Sequence, residues 1–296
     1  MFDSYRQLSR LLASWSLLAS FLSWRTAVQA IEFPTTAEVH LIYPRNDTYA
    51  PTTLMPIVFA IQNSQLAAPL DLNIQWDIYQ IGVYDGLVAS GVLLLTGVDF
   101  SNNSDPYFKF TSTAKLNVTE AAWMLMWTLS SGNCSIGSEG DDGWTDNLSY
   151  YNRVMVAHFT TKNGTKEPDL VAATAVDNGV CASNTQGYFT FNVTGTLHVS
   201  DPRKYDGRDT CAILAPPEPT VSANATACGP SIDASAASSI SAAITSRACK
   251  ALNPVVTCRP DHTSGVAGGK RAKFQAEEMI WLKITVFSIL VYSLVL

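Results

Sequence analysis

Residues 72–78 read LNIQWDI, with Leu72, Ile74, Trp76 and Ile78 on one parity and Asn73, Gln75 and Asp77 on the other. Successive side chains of a strand leave opposite faces, so strict alternation describes a strand with one dry face and one wet face. A helix repeats near 3.6 residues and would scatter the same apolar set around its axis. The pattern recurs along the chain. It places Val39, Leu41 and Tyr43 together in 38–43, and Ile57, Phe59 and Ile61 together in 55–61. It aligns Phe108 with Phe110 in 107–111, and stacks Trp123, Leu125, Trp127 and Leu129 in 122–129. Met155, Ala157 and Phe159 follow in 153–160, then Phe189, Phe191, Val193, Leu197 and Val199 in 188–199, interrupted by Gly195. The stretch 87–95 reads as an apolar strand candidate. Such strands, separated by Pro, Asn, Asp and Gly clusters and not by helices, predict a mostly β fold. The expected architecture over 31–205 is an antiparallel Ig-like β-sandwich.

Composition changes after Asp201. A polar turn and the Pro- and Ala-rich run ILAPPEPTVSANATA precede IDASAASSISAAITSRA at 232–248. Alanine content predicts a helix there, with Ser231 as N-cap, Asp233 in the first turn and Ile232, Ala236, Ile240 and Ala243 on one face. Residues 206–260 are therefore expected to form a small disulfide-tied helical module.

All six cysteines, Cys134, Cys181, Cys211, Cys228, Cys249 and Cys258, lie in the second half of the chain. An even number without a C-x-x-C pair reads as three disulfides and not as a zinc site. A helix over 232–248 is about 25 Å long. Cys228 and Cys249 at its two ends are too far apart for the near 6 Å Cα separation of a disulfide. The pairing expected is Cys228 with Cys258, Cys249 with Cys211, and Cys134 with Cys181.

Both extremities are apolar. Arg6 and Arg10, the apolar core 11–24 and the small residues Val28 and Ala30 read as a signal peptide over 1–30. At the other end, MIWLKITVFSILVYSLVL fills 279–296. It can be a membrane span, a core segment, or a signal for glycosylphosphatidylinositol (GPI) attachment. Lys283 interrupts the run, and the basic residues Lys270, Arg271 and Lys273 sit on the wrong side for a type I span. Small residues at 264–269, a polar spacer over 270–278 and the apolar tail fit the GPI signal, with Gly265 or Ala267 as the attachment residue. The segment 261–278 is then a spacer carrying that site.

Eight N-x-S/T sequons begin at Asn46, Asn102, Asn117, Asn133, Asn147, Asn163, Asn192 and Asn224. Each is a candidate N-glycan acceptor in an exported chain. The formal net charge of −6 does not suit a phosphate backbone, so nucleic acid is not an expected partner. The expected partners are a membrane through the GPI lipid and a cell-wall polysaccharide.

Catalytic signals are weak, no cofactor is implied and no enzyme is expected. His40, His158, His198 and His262 are mutually remote in sequence, and the first three fall in expected strands as sheet-face residues. Glu139, Asp141, Asp142 and Asp146 share one loop, where adjacent carboxylates read as solvated groups more readily than as a hydrolase pair or a calcium site. Trp144, Tyr150 and Tyr151, in and just after that loop, are the candidate platform for stacking on sugar rings.

The segment YPRNDTYAPTTLMPIVFAIQN at 43–63 resembles the opening of an uncharacterised domain of secreted and surface proteins of filamentous fungi. The strands after it and the Ala/Ser-rich helix IDASAASSISAAI are similar to that family, and the resemblance covers most of 31–260. It implies secretion, often with a GPI anchor, and supplies no catalytic residues. The chain is thus expected to be a GPI-anchored cell-surface glycoprotein with a structural or recognition role at the fungal cell wall. A carbohydrate-binding module, or a wall-remodelling hydrolase, is the alternative.

Overall fold

The period-2 pattern is realised as strands. A computed structural model describes residues 31–100, 104–135, 147–177, 180–181, 187–199, 209–215, 220–222 and 229–258. In chain order they form β1 (Thr35–Tyr43), β2 (Thr48–Tyr49), β3 (Met55–Gln62), β4 (Asn73–Gln80), β5 (Leu87–Leu94), β6 (Tyr107–Thr113), β7 (Ala121–Ser135) and β8 (Asn147–Thr161). After these come helix α1 (Leu170–Thr174), β9 (Val176–Asp177), β10 (Val180–Cys181), β11 (Tyr188–His198), β12 (Thr210–Leu214), β13 (Thr220–Ser222) and helix α2 (Ala234–Cys249).

Two sheets carry the fold. One runs β12-β11-β1-β3-β6, with β13 also pairing β11; the other runs β2-β8-β7-β4-β5. Every pairing in them is antiparallel except β2 with β8. Their inner faces meet at Trp127 of β7, whose indole lies edge-on to Phe59 of β3 at 5.2 Å and to Phe189 of β11 at 4.9 Å. Offset and edge-on ring pairs of this kind stabilise beyond their buried area. Trp123, Leu125, Trp127 and Leu129 are all buried, as their alternation required. The buried Trp123 indole N–H donates to Thr161 Oγ1 at 2.7 Å, and that hydroxyl donates to the Thr119 carbonyl at 2.6 Å. The indole N–H of Trp123 is thereby satisfied.

β3 departs from alternation, because MPIVFAI is buried on both faces. One face meets the sandwich core. The other side of the same sheet is covered by the segment leading into α2: Gly229 packs against His40 of β1, and Ile232, Ile240 and Ile244 join the same core cluster. The Ile232 N–H donates to Thr174 Oγ1 at 2.9 Å, tying α1 to the approach of α2. The helix starts two residues later than expected. Asp233, not Ser231, is its N-cap, accepting the Ala236 N–H at 2.7 Å. Its buried residues are Ile240 and Ile244, with Ala236 and Ala237 partly buried beside them.

The C-terminal third does not form a module separate from the sheets. β12 lies within the expected 206–260 module yet pairs β11 from Val193 to His198. Residues through Val256 fall in one compact unit, and of 257–296 only Thr257 and Cys258 are described. The disulfide pairing also differs from expectation. Cys134 at the end of β7 is bonded to Cys211 of β12, with Cα atoms 6.0 Å apart. This rules out Cys134–Cys181 and Cys211–Cys249. The physical reason is that β12 returns to the sheet edge, where Leu214 N–H donates to Asn133 Oδ1 at 2.9 Å, so Cys211 arrives opposite Cys134. Cys249 and Cys258 are disulfide-bonded as well. The third expected pair, Cys228 with Cys258, falls partly outside the described residues.

Candidate functional site

The most distinctive stretch of sequence, PRNDTY at 44–49, proves architectural. The Arg45 backbone N–H donates to the Tyr49 hydroxyl at 3.1 Å, and that hydroxyl reaches the Arg45 carbonyl at 3.4 Å. The Tyr49 ring leans on Tyr43 at 4.9 Å, with the Lys166 ammonium 5.8 Å from its centroid. Lys166 also pairs with Asp47, and Thr48 Oγ1 shares a 2.6 Å hydrogen bond with Thr160 Oγ1. These contacts bracket the short parallel pairing of β2 on β8. Burial pushes the Tyr49 phenol up to about 12 and holds the Arg45 guanidinium below its ordinary range. Both shifts follow from removing a charged form from water.

His40 is buried in β1, in the other sheet. Its Nε2 lies 2.8 Å from Glu38 Oε2, and its ring stacks on Tyr188 at 4.4 Å. Burial lowers its pKa and outweighs the opposing pull of Glu38. The folded chain therefore binds His40's proton more weakly than the unfolded chain, whose histidine titrates near 6.5. Stability is fully present above that value and falls as the pH drops through it. Urea midpoints at about pH 7.5 and about pH 5 should differ less in His40→Gln than in the wild type; an unchanged difference would contradict the assignment. His158 and His198 are exposed, and His262 lies outside the described residues. Among the described residues no cluster of three His, Cys, Asp or Glu could hold a metal.

The expected stacking platform is not assembled among the described residues. Trp144 and the acidic residues Glu139, Asp141, Asp142 and Asp146 lie outside them. Tyr150 is 57% exposed, while Tyr151 next to it in β8 is half-buried. Neighbouring residues of a strand leave opposite faces, so these two rings cannot share one flat surface. Of the sequons, Asn46, Asn163 and Asn192 are exposed, and Asn117 and Asn133 are half-buried. For Asn147 only its place at the start of β8 is described, and Asn102 and Asn224 lie outside the described residues, as do Gly265 and Ala267.

The structure offers a different site. β5 and β6 are the terminal strands of the two sheets, so each keeps one backbone edge unpaired within them. They run side by side in opposite senses: residues 92–94 face 107–110, and 87–92 face 111–115. Between them lie two adjoining hollows of about 370 and 650 Å³ that share Val92. At the second, Gly91 is paired with Trp76, and a Cβ on Gly91 would sit 2.7 Å from the indole. Glycine thus lets the ring lie flat against the strand and form part of the wall. Leu87, Val92 and Leu94 of this apolar strand are about half exposed, at 47%, 58% and 59%. Exposed apolar edge strands are normally blunted against pairing, which makes an uncovered one informative. The hydroxyls of Ser90, Thr111, Ser112 and Thr113 add neutral polar lining, and every charged lining residue is cationic. Lys109 and Arg247 flank the first hollow and Lys115 the second, with no carboxylate on either among the described residues. The Arg247 guanidinium lies 5.8 Å from the Phe110 ring centroid, and its Nη1 donates to the Phe110 carbonyl at 3.4 Å. Burial, and then the Arg247 charge, lowers the pKa of Lys109. Sequence reasoning missed this trough; Lys109 within the aromatic strand YFKF and Lys115 after it do not by themselves mark one.

No curated protein and no solved structure is detectably similar to this chain. A family model matches residues 32–258, most of the chain, and its bounds enclose both sheets, α2 and the trough. The chain belongs to the family described as domain of unknown function (DUF7136).

Proposed function

We propose that this protein is exported, N-glycosylated and tethered by a GPI lipid at Gly265 or Ala267, and acts in recognition at the fungal cell surface. The trough between β5 and β6 carries the recognition part of this reading: a cationic, apolar-walled groove on a protein of net charge −6. The Cys134–Cys211 bridge supports export, because disulfides persist in oxidising compartments. The two-sheet core is read more finely as immunoglobulin-like, an architecture that commonly presents binding surfaces on a rigid frame. Expression of the full chain in a fungal host tests the location. Phosphatidylinositol-specific phospholipase C should release it from washed membranes, and peptide N-glycosidase should lower its apparent mass. Retention on the membrane together with an unshifted mass would contradict the reading.

A second reading is a carbohydrate-binding module on wall polysaccharide. It is favoured by the exposed Tyr150 ring, six residues after Trp144 in the chain. Purified glucan, mannan and chitin pull-downs would then be lost in Trp144→Ala and Tyr150→Ala; equal retention by both variants dismisses it.

A further inference from the structure

We propose that the trough between β5 and β6 binds an extended acidic peptide segment, which adds as a strand to one of the two free sheet edges. The inference rests on the recognition reading and names the ligand class for that site.

Main-chain geometry points to a peptide. An unpaired strand edge presents a regular row of N–H and C=O groups, and an extended chain is the ligand that matches that repeat. The eight residues of β5 offer an edge of roughly 26 Å at about 3.3 Å per residue, which suits a peptide of similar length. Alternate side chains of such a peptide added to β5 would lie beside Val92 and Leu94 on the outer face of the sheet and beside Leu93 on the inner one.

Charge selects the sequence of that peptide. Lys109 is opposite Phe59 in the register and therefore points between the sheets, into the open side of the sandwich. Lys109, Lys115 and Arg247 form no ion pair among the described residues. A carboxylate brought between Lys109 and Arg247 would relieve their mutual repulsion in a partly desolvated place, where the attraction exceeds its value in water. A neutral or basic peptide leaves that repulsion standing.

An inward-pointing lysine on an edge strand has another known use, which is to prevent edge-to-edge association of copies. The two roles separate experimentally. The probe is a fluorescein-labelled peptide of about eight residues alternating valine with glutamate, used below its own assembly concentration, with a valine–lysine peptide as counterpart. Fluorescence anisotropy with the full chain should show at least about ten-fold tighter binding of the glutamate peptide at low salt, with the preference fading at about 1 M salt. N-methylation of alternate backbone nitrogens should abolish binding, and Lys109→Gln and Arg247→Gln should each weaken it several-fold while retaining the wild-type thermal midpoint. The proposal is overturned by equal affinity for the two peptides, by no affinity for either, or by tolerance of N-methylation. It is also overturned if Lys109→Gln self-associates on size exclusion and keeps full peptide affinity, which identifies the lysine as a guard. Binding of an acidic oligosaccharide such as oligogalacturonate in place of the peptide sinks the peptide assignment alone and leaves the trough a recognition site.

Discussion

Trp127→Ala is expected to destabilise the folded chain by about 3–5 kcal/mol, the range for truncating a large buried aromatic side chain. Trp127 is 1% exposed and lies between Phe59 and Phe189, each from a different strand of the facing sheet. Its loss removes edge-on contacts to both rings and leaves a cavity at the junction of the two sheets. The surrounding backbone cannot close that space, because β7 is paired on both sides, to β4 and to β8. Tyr150→Ala on the outward-facing end of β8 is the control, expected to change stability by no more than about 0.5 kcal/mol. Urea denaturation of the two variants checks the contrast. Equal small losses would mean that Trp127 is not the residue on which the sheets close.

Replacing Cys134 and Cys211 together with alanine is expected to cost about 2–5 kcal/mol. The bond spans a sequence separation of 77, so the unfolded chain gains considerable freedom when it is removed. It also fastens β12, a five-residue strand, to the end of β7 in the other sheet. The double variant should therefore lose protection at β12 before the centre of the sandwich opens. Non-reducing digestion gives an independent check. A peptide joining Cys134 to Cys211 is predicted, and one joining Cys134 to Cys181 would contradict the structure.

The sheets were legible where one face is dry. The alternation in 72–78, 122–129 and 188–193 is a local consequence of the pleat, and the buried residues of β4, β7 and β11 follow it except Asp77, which lies on the polar parity of β4 yet is buried. Alternation fails as a guide where both faces are covered, as in β3, or where an apolar strand is left at an edge, as in β5. Hydrophobicity alone cannot distinguish those two cases, since which strands lie at an edge is a property of the whole topology. The same limit explains Cys211. Its sequence neighbourhood reads as the start of a separate module, whereas its position is set by pairing with a strand that ends a dozen residues earlier. Arg45 shows the converse. A charged residue in the polar run RND, it is nonetheless 6% exposed, with Tyr49 folded back over its backbone. The trough itself has no local signature. It exists because the chain leaves one sheet at Leu94 and enters the other at Tyr107, placing two terminal strands side by side.

Amide hydrogen exchange followed by NMR tests the central claim that β5 and β6 are open edges bounding a trough. Alternate amides within 87–94 and within 107–113 should exchange quickly, because their N–H groups face the trough, while the amides of β3 and β7 should persist through consecutive residues. Continuous slow exchange along 87–94 or 107–113 in the free protein would show that edge to be paired already, and would contradict the account.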